Sequence, residues 1–371
     1  MNVPTVQRTR THGPLGLILA VVVLLPAAPA TADSQHELLL FPSVDTFDTF
    51  SESDPQVKDS FVRATLDLLY SYSTPHIRFL AEYVLSTEES ELERLKVGWM
   101  WRDDVTLWMG RTHTTSKHWT SEYHHGQYLQ TSITRPSLEE WEDESGPIPS
   151  HVTGLSLDVR HSLQNDAAVN WVIAAGLAPK FVDGELEPFD ILDPASGHDL
   201  SLNFKLSYKP REFEMMQFGV LSSWNDINVD SASSPSLADL SQIEQFTIGA
   251  FVDWHWEDLR LIASYVHFDI ALDYLDGTVD DDFELGYAQL EYSVGEDITV
   301  FGRSDNGFGE DWSPYLRLLP AFVSHRHMLG VRWDLARNHA LTVEVADTAQ
   351  QAIDTDHEYF KEVRLQWSAV F

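Results

Sequence analysis

Apolar and polar residues alternate one by one through most of this chain, and this alternation constrains its fold more than any other feature. Among the last fifteen residues, Val363, Leu365, Trp367, Ala369 and Phe371 are apolar at every second position, with polar residues between them. Successive side chains of a β-strand point to opposite faces, so the pattern predicts a strand with one apolar and one polar face. The strand continues to the chain end without a turn, where its edge needs a pairing partner.

The same alternation recurs in fifteen clear segments from residue 62 onward, and no run of 18 apolar residues occurs beyond the N-terminal region. A helical membrane span is therefore not expected there. Strands that start and end on one side of a sheet must be even in number, and the apolar stretch Glu37–Phe41 supplies a sixteenth. We predict sixteen strands, with fourteen as the next choice. Short connections near 74, 103, 165, 210, 258, 296 and 337 alternate with long ones at 114–150, 183–198, 223–243, 270–282, 305–322 and 348–357.

Aromatic residues on the apolar faces lie immediately before the short connections. They are Tyr70, Tyr72, Trp99, Trp101, Tyr208, Trp254, Trp256, Tyr292 and Trp333. Such rings prefer the membrane interface, and short turns on one side with longer loops on the other are typical of membrane barrels. The sequence therefore predicts an all-β fold, a transmembrane antiparallel up-and-down β-barrel. A large secreted β-sandwich or propeller is the alternative, but it would scatter its aromatic residues through a core.

The N-terminal region predicts export. Arg8 and Arg10 precede an apolar run over 14–30, and Ala30-Thr31-Ala32 is a small-residue cleavage site. We assign 1–32 to a cleaved signal peptide. Residues 33–59 then form either a short first strand or a periplasmic tether, and 60–371 form the barrel.

Charge and composition exclude some functions. The formal net charge is −34 and there is no cysteine, so neither a basic nucleic-acid-binding face nor a disulfide framework is expected. The acidity fits two interpretations: solvated loops, or a field at a pore mouth that attracts cations.

The connection after residue 112 is too long and too aromatic for a simple external loop. We predict that 113–152 folds inward as a constriction loop, with a short helix near Ser137–Glu144. Its imidazoles and carboxylates suit Zn²⁺, Cu²⁺ or Ni²⁺, while a structural or pore-lining hydrogen-bond cluster is the alternative. The histidines that a metal ion would use are His113, His118, His124, His125 and His151.

Charged residues on the polar strand faces are candidates for the pore wall. Basic and acidic groups there either set a field across the constriction or neutralise one another as ion pairs. They are Arg63, Asp67, Arg78, Glu82, Arg94, Lys96, Asp158, Arg160, Asp253, Arg303, Arg326, Arg332, Glu344 and Arg364.

The closing strand with its terminal Phe371 resembles the C-terminal signature of Gram-negative outer-membrane barrels, which the barrel assembly machinery reads. Strand after strand, the chain resembles the outer-membrane porin superfamily, including its phosphate-selective-porin-like group, although it has few lysines. The resemblance implies an outer-membrane protein in contact with lipid and lipopolysaccharide, with a homotrimer as the assembly it suggests. It also implies a water-filled channel for passive diffusion of small hydrophilic solutes or ions, without a cofactor.

Other functions remain open at this point. A more selective channel or binding barrel for divalent metal ions would use the histidine-rich loop. A barrel enzyme would need a nucleophile and a base, and the sequence contains no G-x-S-x-G motif.

Overall fold

The computed structural model describes residues 34–51, 58–87, 90–123, 126–194, 196–230, 237, 239–319, 321–352 and 355–371. The signal peptide predicted at 1–32 lies outside this range and stays a prediction. Among the described residues, no helix has both the length and the apolar character needed to cross a membrane.

The described chain is built almost entirely of strands. They are β1 Gln35–Ser51, β2 Lys58–Ser73, β3 Ile77–Ser86, β4 Ser90–Arg102, β5 Val105–His113, β6 His151–Ser162, β7 Ala168–Leu177, β8 Lys180–Val182, β9 Glu185–Glu187, β10 Leu200–Lys209, β11 Gln217–Val229, β12 Leu240–Trp256, β13 Leu259–Tyr274, β14 Gly277–Ser293, β15 Ile298–Phe308, β16 Val323–Ala336, β17 His339–Ala352 and β18 Thr355–Ala369. Helix α1, His118–Tyr123, lies in the long loop between β5 and β6.

Sixteen of these strands form a closed antiparallel barrel, while β8 and β9 form a short hairpin that pairs with β11 through β8. Closure occurs where β1 pairs with both β2 and β18. The backbone of Phe371 completes the seam, because its N–H and C=O exchange 2.9 Å hydrogen bonds with Leu40. The predictions of sixteen strands and of an all-β up-and-down barrel are confirmed.

The barrel begins earlier than residue 60. The alternatives for 33–59 were a short strand and a tether, but Gln35–Ser51 is a full-length strand of 17 residues. Its pairing with both neighbours explains the length, since a closing strand must satisfy hydrogen bonds on each side.

Loop lengths differ from the prediction in several places, including 348–357, where β17 continues to Ala352 and β18 begins at Thr355. Residues 270–282 were expected to be a long loop, but β13 continues to Tyr274 and β14 begins at Gly277. The loop predicted at 223–243 is likewise shortened by β11 and β12. Cross-strand pairs along 270–282 extend this hairpin beyond the roughly 9–11 residues that a spanning strand needs.

The two faces of the wall differ as the alternation predicts. The aromatic residues before the short turns lie on the outer face, where Trp99, Trp254 and Trp333 are exposed. The inner face is polar on part of the wall. On β11–β14, however, it is largely apolar and buried, including Phe251, Phe268 and Phe283.

Candidate functional site: a cavity between the inner loop and the barrel wall

The connection between β5 and β6, residues 114–150, lies inside the barrel, and we name it the inner loop. Trp119, Tyr123, Leu138 and Ile148 belong to one buried apolar cluster with the inner faces of β11–β14. Burying a large apolar side chain stabilises a structure by about 1.5–3 kcal/mol, so this contact holds the loop to one side of the lumen. The inward-folded loop therefore matches its prediction.

The helix of the inner loop is not where the sequence placed it. Ser137–Glu144 was expected to be helical, but it contains two single 3₁₀ turns, Ser137–Glu139 and Glu142–Glu144. The α-helix is His118–Tyr123, and it carries Trp119 and Tyr123 onto the apolar wall. The centroids of these two rings are 4.9 Å apart. Their packing on the apolar wall accounts for the position of the helix.

Charged wall residues bind the backbone of the inner loop. Glu344 accepts hydrogen bonds from the amides of Ile133 (2.8 Å) and Thr134 (3.1 Å) and from the Thr134 hydroxyl (2.7 Å). Arg303 donates to the carbonyls of Thr134 (2.8 Å) and Arg135 (2.7 Å). Charge-assisted bonds are stronger than neutral ones, so these residues fix the loop at a defined height.

Two buried basic groups of the inner loop are held without free contact to water. Lys117 donates to the Glu140 carbonyl and the Ser150 hydroxyl, both at 2.6 Å, and burial lowers its pKa to about 8. Burial and the charge of Lys205 lower the pKa of His118 to about 3. His118 is therefore neutral near pH 7, and its ring stacks on Phe251.

A cavity of about 390 Å³ separates the inner loop from the opposite wall. That wall consists mainly of β1–β4 with contributions from β16 and β18, and the β9 strand also reaches the cavity. The charged residues that line the cavity, from the wall and from the inner loop together, are nine carboxylates and four guanidinium groups. They are Asp45, Asp67, Glu91, Glu93, Glu140, Glu142, Glu144, Glu185 and Glu187, with Arg63, Arg135, Arg326 and Arg364. The cavity therefore has a clear acidic excess.

The predicted pore-wall residues fall into three groups. Arg63, Asp67, Arg326 and Arg364 line the cavity. Arg303, Arg326, Arg332 and Glu344 bind the inner-loop backbone, and Asp253 accepts a 2.6 Å hydrogen bond from Tyr123 of the loop. The rest are elsewhere in the wall: Glu82 pairs with Arg94, Lys96 contacts Thr112, Arg160 pairs with Glu212, Asp158 is on β6 and Arg78 is exposed.

Of the five predicted metal-binding histidines, the structure brings two together. His113 and His151 are cross-strand partners at the root of the inner loop, and their ring centroids are 5.1 Å apart. His118 lies apart from them against Phe251. His124 and His125 are outside the described residues.

Glu93 joins the two histidines, although no sequence pattern indicated that it would. Alternation places Arg94 and Lys96 on the inner face of β4, and in an unbroken strand it would point Glu93 outward. A register shift where Glu82 and Tyr83 pair with Arg94 and Leu92 leaves Glu93 without a counterpart. Such a β-bulge redirects side chains, and both Glu93 and Arg94 are buried on the inside.

The chain matches no protein-family model and no curated protein. Solved structures show its fold. The outer membrane channel DcaP of Acinetobacter baumannii aligns with a TM-score of 0.62 and 10% identity, over 92% of this chain and 99% of that one. An anion-selective porin from Comamonas acidovorans gives 0.58 and 13%, over 91% and 100%. The trimer form of OmpT from Vibrio cholerae gives 0.52 and 9%, over 91% and 100%. The barrel of this chain therefore has the fold of outer-membrane porins.

Proposed function

We propose that this protein is a cation-preferring porin of the outer membrane, a water-filled channel for passive diffusion of small hydrophilic solutes and ions, and not an enzyme. The observation that carries the proposal is the cavity between the inner loop and the β1–β4 wall. A sixteen-stranded barrel is too wide for its own side chains to fill, and the inner loop leaves part of the lumen open. Its position against one wall sets the size limit for solutes.

The acidic excess of the cavity lining supports the preference for cations. Nine carboxylates face four guanidinium groups, and none of the lining residues is a lysine. Rings of one charge sign in a narrow passage attract the opposite ions and repel like ones. A row of lysines, which phosphate selectivity would use, is missing from this lining. The Comamonas neighbour carries the name anion-selective, but a fold shared at 13% identity does not fix the lining charges.

The same proposal covers location and partners. Export through the signal peptide 1–32 and assembly by the machinery that reads the Phe371 strand would deliver the barrel to the outer membrane. The exposed apolar outer face suits lipid and lipopolysaccharide. A homotrimer is the assembly we propose, since part of that face can cover a second copy as well as lipid. Cross-linking in native membranes tests the trimer, and a monomer band without dimer and trimer bands would contradict it.

Reconstitution into a planar bilayer tests the channel itself. We expect discrete conductance steps, and under a KCl gradient we expect a reversal potential displaced toward the K⁺ equilibrium potential. Absence of steps from correctly folded protein rules out the channel. Displacement toward the Cl⁻ potential keeps the channel and rules out the cation preference.

A further inference from the structure

We propose that Glu93, His113 and His151 bind a divalent transition-metal ion, with Zn²⁺ the best fit, in the wall of the cavity. The three side chains come from β4, β5 and β6, at the root of the inner loop. Each offers one ligand atom, and the three atoms lie within 4.8 Å of one another. Binding itself requires no open channel, whereas an effect of the ion on current rests on the proposed function.

The distances fit a zinc ion with little rearrangement. The Glu93 Oε2 atom lies 3.0 Å from His151 Nε2 and 3.4 Å from His113 Nε2. Zinc–ligand bonds of about 2.0–2.2 Å place tetrahedral ligands roughly 3.3–3.6 Å apart. Two imidazoles and one carboxylate form a ligand set that zinc uses, and the fourth position would be left for water or a solute.

Glu142 orients His151 as an outer-shell partner does at metal sites. The Glu142 Oε2 atom lies 2.8 Å from His151 Nδ1, while Oε1 accepts the backbone amide of His151 at 3.0 Å. A proton on Nδ1 directed to this carboxylate leaves the Nε2 lone pair facing Glu93. Carboxylate–histidine pairs of this kind fix the tautomer of metal ligands. Trp141 stacks on the His151 ring at an interplanar angle of 7° and holds its plane.

The fold prepares the site in two ways. His113 and His151 directly oppose one another across the β5–β6 ladder, which places their side chains on the same inner face. The bulge in β4 then turns Glu93 inward to meet them. All three ligands belong to strands, and the inner loop contributes the residues that orient His151, Glu142 and Trp141.

Charge and access also favour a cation here. Glu91, Glu93 and Glu142 surround the site, with Arg111 bound to Glu91 at 2.5 Å and Arg135 stacked over Trp141 at 3.9 Å. With both imidazoles neutral, three carboxylates exceed these two guanidinium groups, so a divalent ion adds to an acidic cluster. Glu93, Glu142 and His151 line the cavity, which gives an ion a path to the site.

A protonated His151 that bridges Glu93 and Glu142 is the competing explanation of the same geometry. It predicts no metal binding at all. Titration of the folded barrel in detergent with ZnCl₂, followed by calorimetry, separates the two. We expect one zinc ion per chain and no heat from MgCl₂, because Mg²⁺ requires an octahedral set of oxygen ligands. Absence of zinc binding overturns the proposal.

Variants locate the ion. We expect His113→Ala and His151→Ala each to weaken zinc binding at least tenfold, and Glu142→Gln to weaken it about 10–100-fold through lost orientation. His327→Ala, an exposed histidine, is the matched control and leaves the affinity unchanged. His325→Ala tests the other cluster, Glu310–Asp311–His325, and loss of binding only there overturns the assignment.

A spectroscopic readout remains informative if a variant folds poorly. Co²⁺ bound in place of Zn²⁺ by tetrahedral nitrogen and oxygen ligands absorbs visible light much more strongly than hexahydrated Co²⁺, and we expect such a spectrum from the unmodified protein. A spectrum of hexahydrated Co²⁺ alone contradicts the site. Metal binding is measured in detergent, and conductance is measured in bilayers. Absence of conductance would therefore not affect the metal-binding result, and absence of metal binding would not affect the conductance result.

Discussion

Two walls of the barrel face the same lumen with opposite chemistry. The inner face of β11–β14 carries a buried apolar cluster that packs against Trp119 and Tyr123 of the inner loop. The inner face of β1–β4 carries Asp45, Arg63 and Asp67 and faces the cavity. One wall therefore holds the loop, and the other lines the cavity through which we propose that solutes pass.

This difference teaches where substitutions should act. A change on the apolar side should displace the loop and lower the free energy of unfolding, since core packing dominates there. A change at a partly exposed charged residue of the cavity, such as Glu144 opposite Arg63, should alter ion preference with little effect on stability, because partly exposed ion pairs contribute only about 0–1 kcal/mol.

Removing the loop anchor should have the largest effect. Trp119 is 1% exposed and packs edge-on against Tyr287 at 6.1 Å between ring centroids. Trp119→Ala should lower the free energy of unfolding by about 3–5 kcal/mol and enlarge the conductance steps as the loop loosens. Urea titration in lipid vesicles and bilayer recording measure both. Trp312→Ala, at an 80% exposed tryptophan, is the control and should change stability by less than about 0.5 kcal/mol. Equal losses from both variants would contradict the comparison.

Alkaline pH should strengthen the same packed region through Lys117. Its pKa is 10.5 when free and about 8 in the fold, so between these values the unfolded state binds more protons than the folded state. Stability therefore rises with pH across this window, by roughly 3 kcal/mol at most. Lys117→Met removes the titrating amine. The free energy of unfolding should therefore rise more steeply with pH in the wild-type protein than in this variant, and the difference between the two slopes measures the effect. Identical slopes from pH 8 to 10.5 would contradict the burial of a charged amine.

The barrel itself could be predicted from the sequence because the patterns that indicate it are local. Alternation, turn positions and the closing strand need only neighbouring residues, and sixteen strands followed from them. The extra length of β13 was missed because Phe268, Ile270 and Leu272 place the apolar residues on the inner face, whereas the preceding residues of the strand place them on the outer face. The same change of face is the one sequence signal that the inner loop packs on this wall.

Only part of the candidate site could be predicted from the sequence. The sequence predicted a set of five candidate histidines that includes His113 and His151, but it did not indicate which of them come together. Glu93 could not be assigned, since a one-residue bulge reverses the face of a side chain without any mark in the composition. The split of the charged wall residues into cavity lining and loop contacts also depends on where the loop lies, which no local pattern encodes.

Loss of one wall contact to the loop should cost less than loss of its anchor. Glu344→Ala leaves the amides of Ile133 and Thr134 without their carboxylate acceptor, which should cost about 2 kcal/mol. Hydrogen exchange at those two amides should speed up, while exchange in β1–β4 stays unchanged. Asp276→Ala, in the exposed turn after β13, is the control. Unchanged exchange at 133 and 134 would show that the loop is held by its apolar contacts alone.

The smallest effect on stability, and the sharpest test of the charged side, is expected from Glu144→Gln. Its side chain is 46% exposed and lies 3.7 Å from Arg63 across the cavity, so the free energy of unfolding should change by less than about 1 kcal/mol. Removing one carboxylate from the lining should still move the reversal potential under a KCl gradient by a few millivolts toward zero. Asp276→Asn removes one charge outside the cavity and should leave that potential unchanged. If both variants shift it equally, the net charge of the protein sets the preference, and the lining does not.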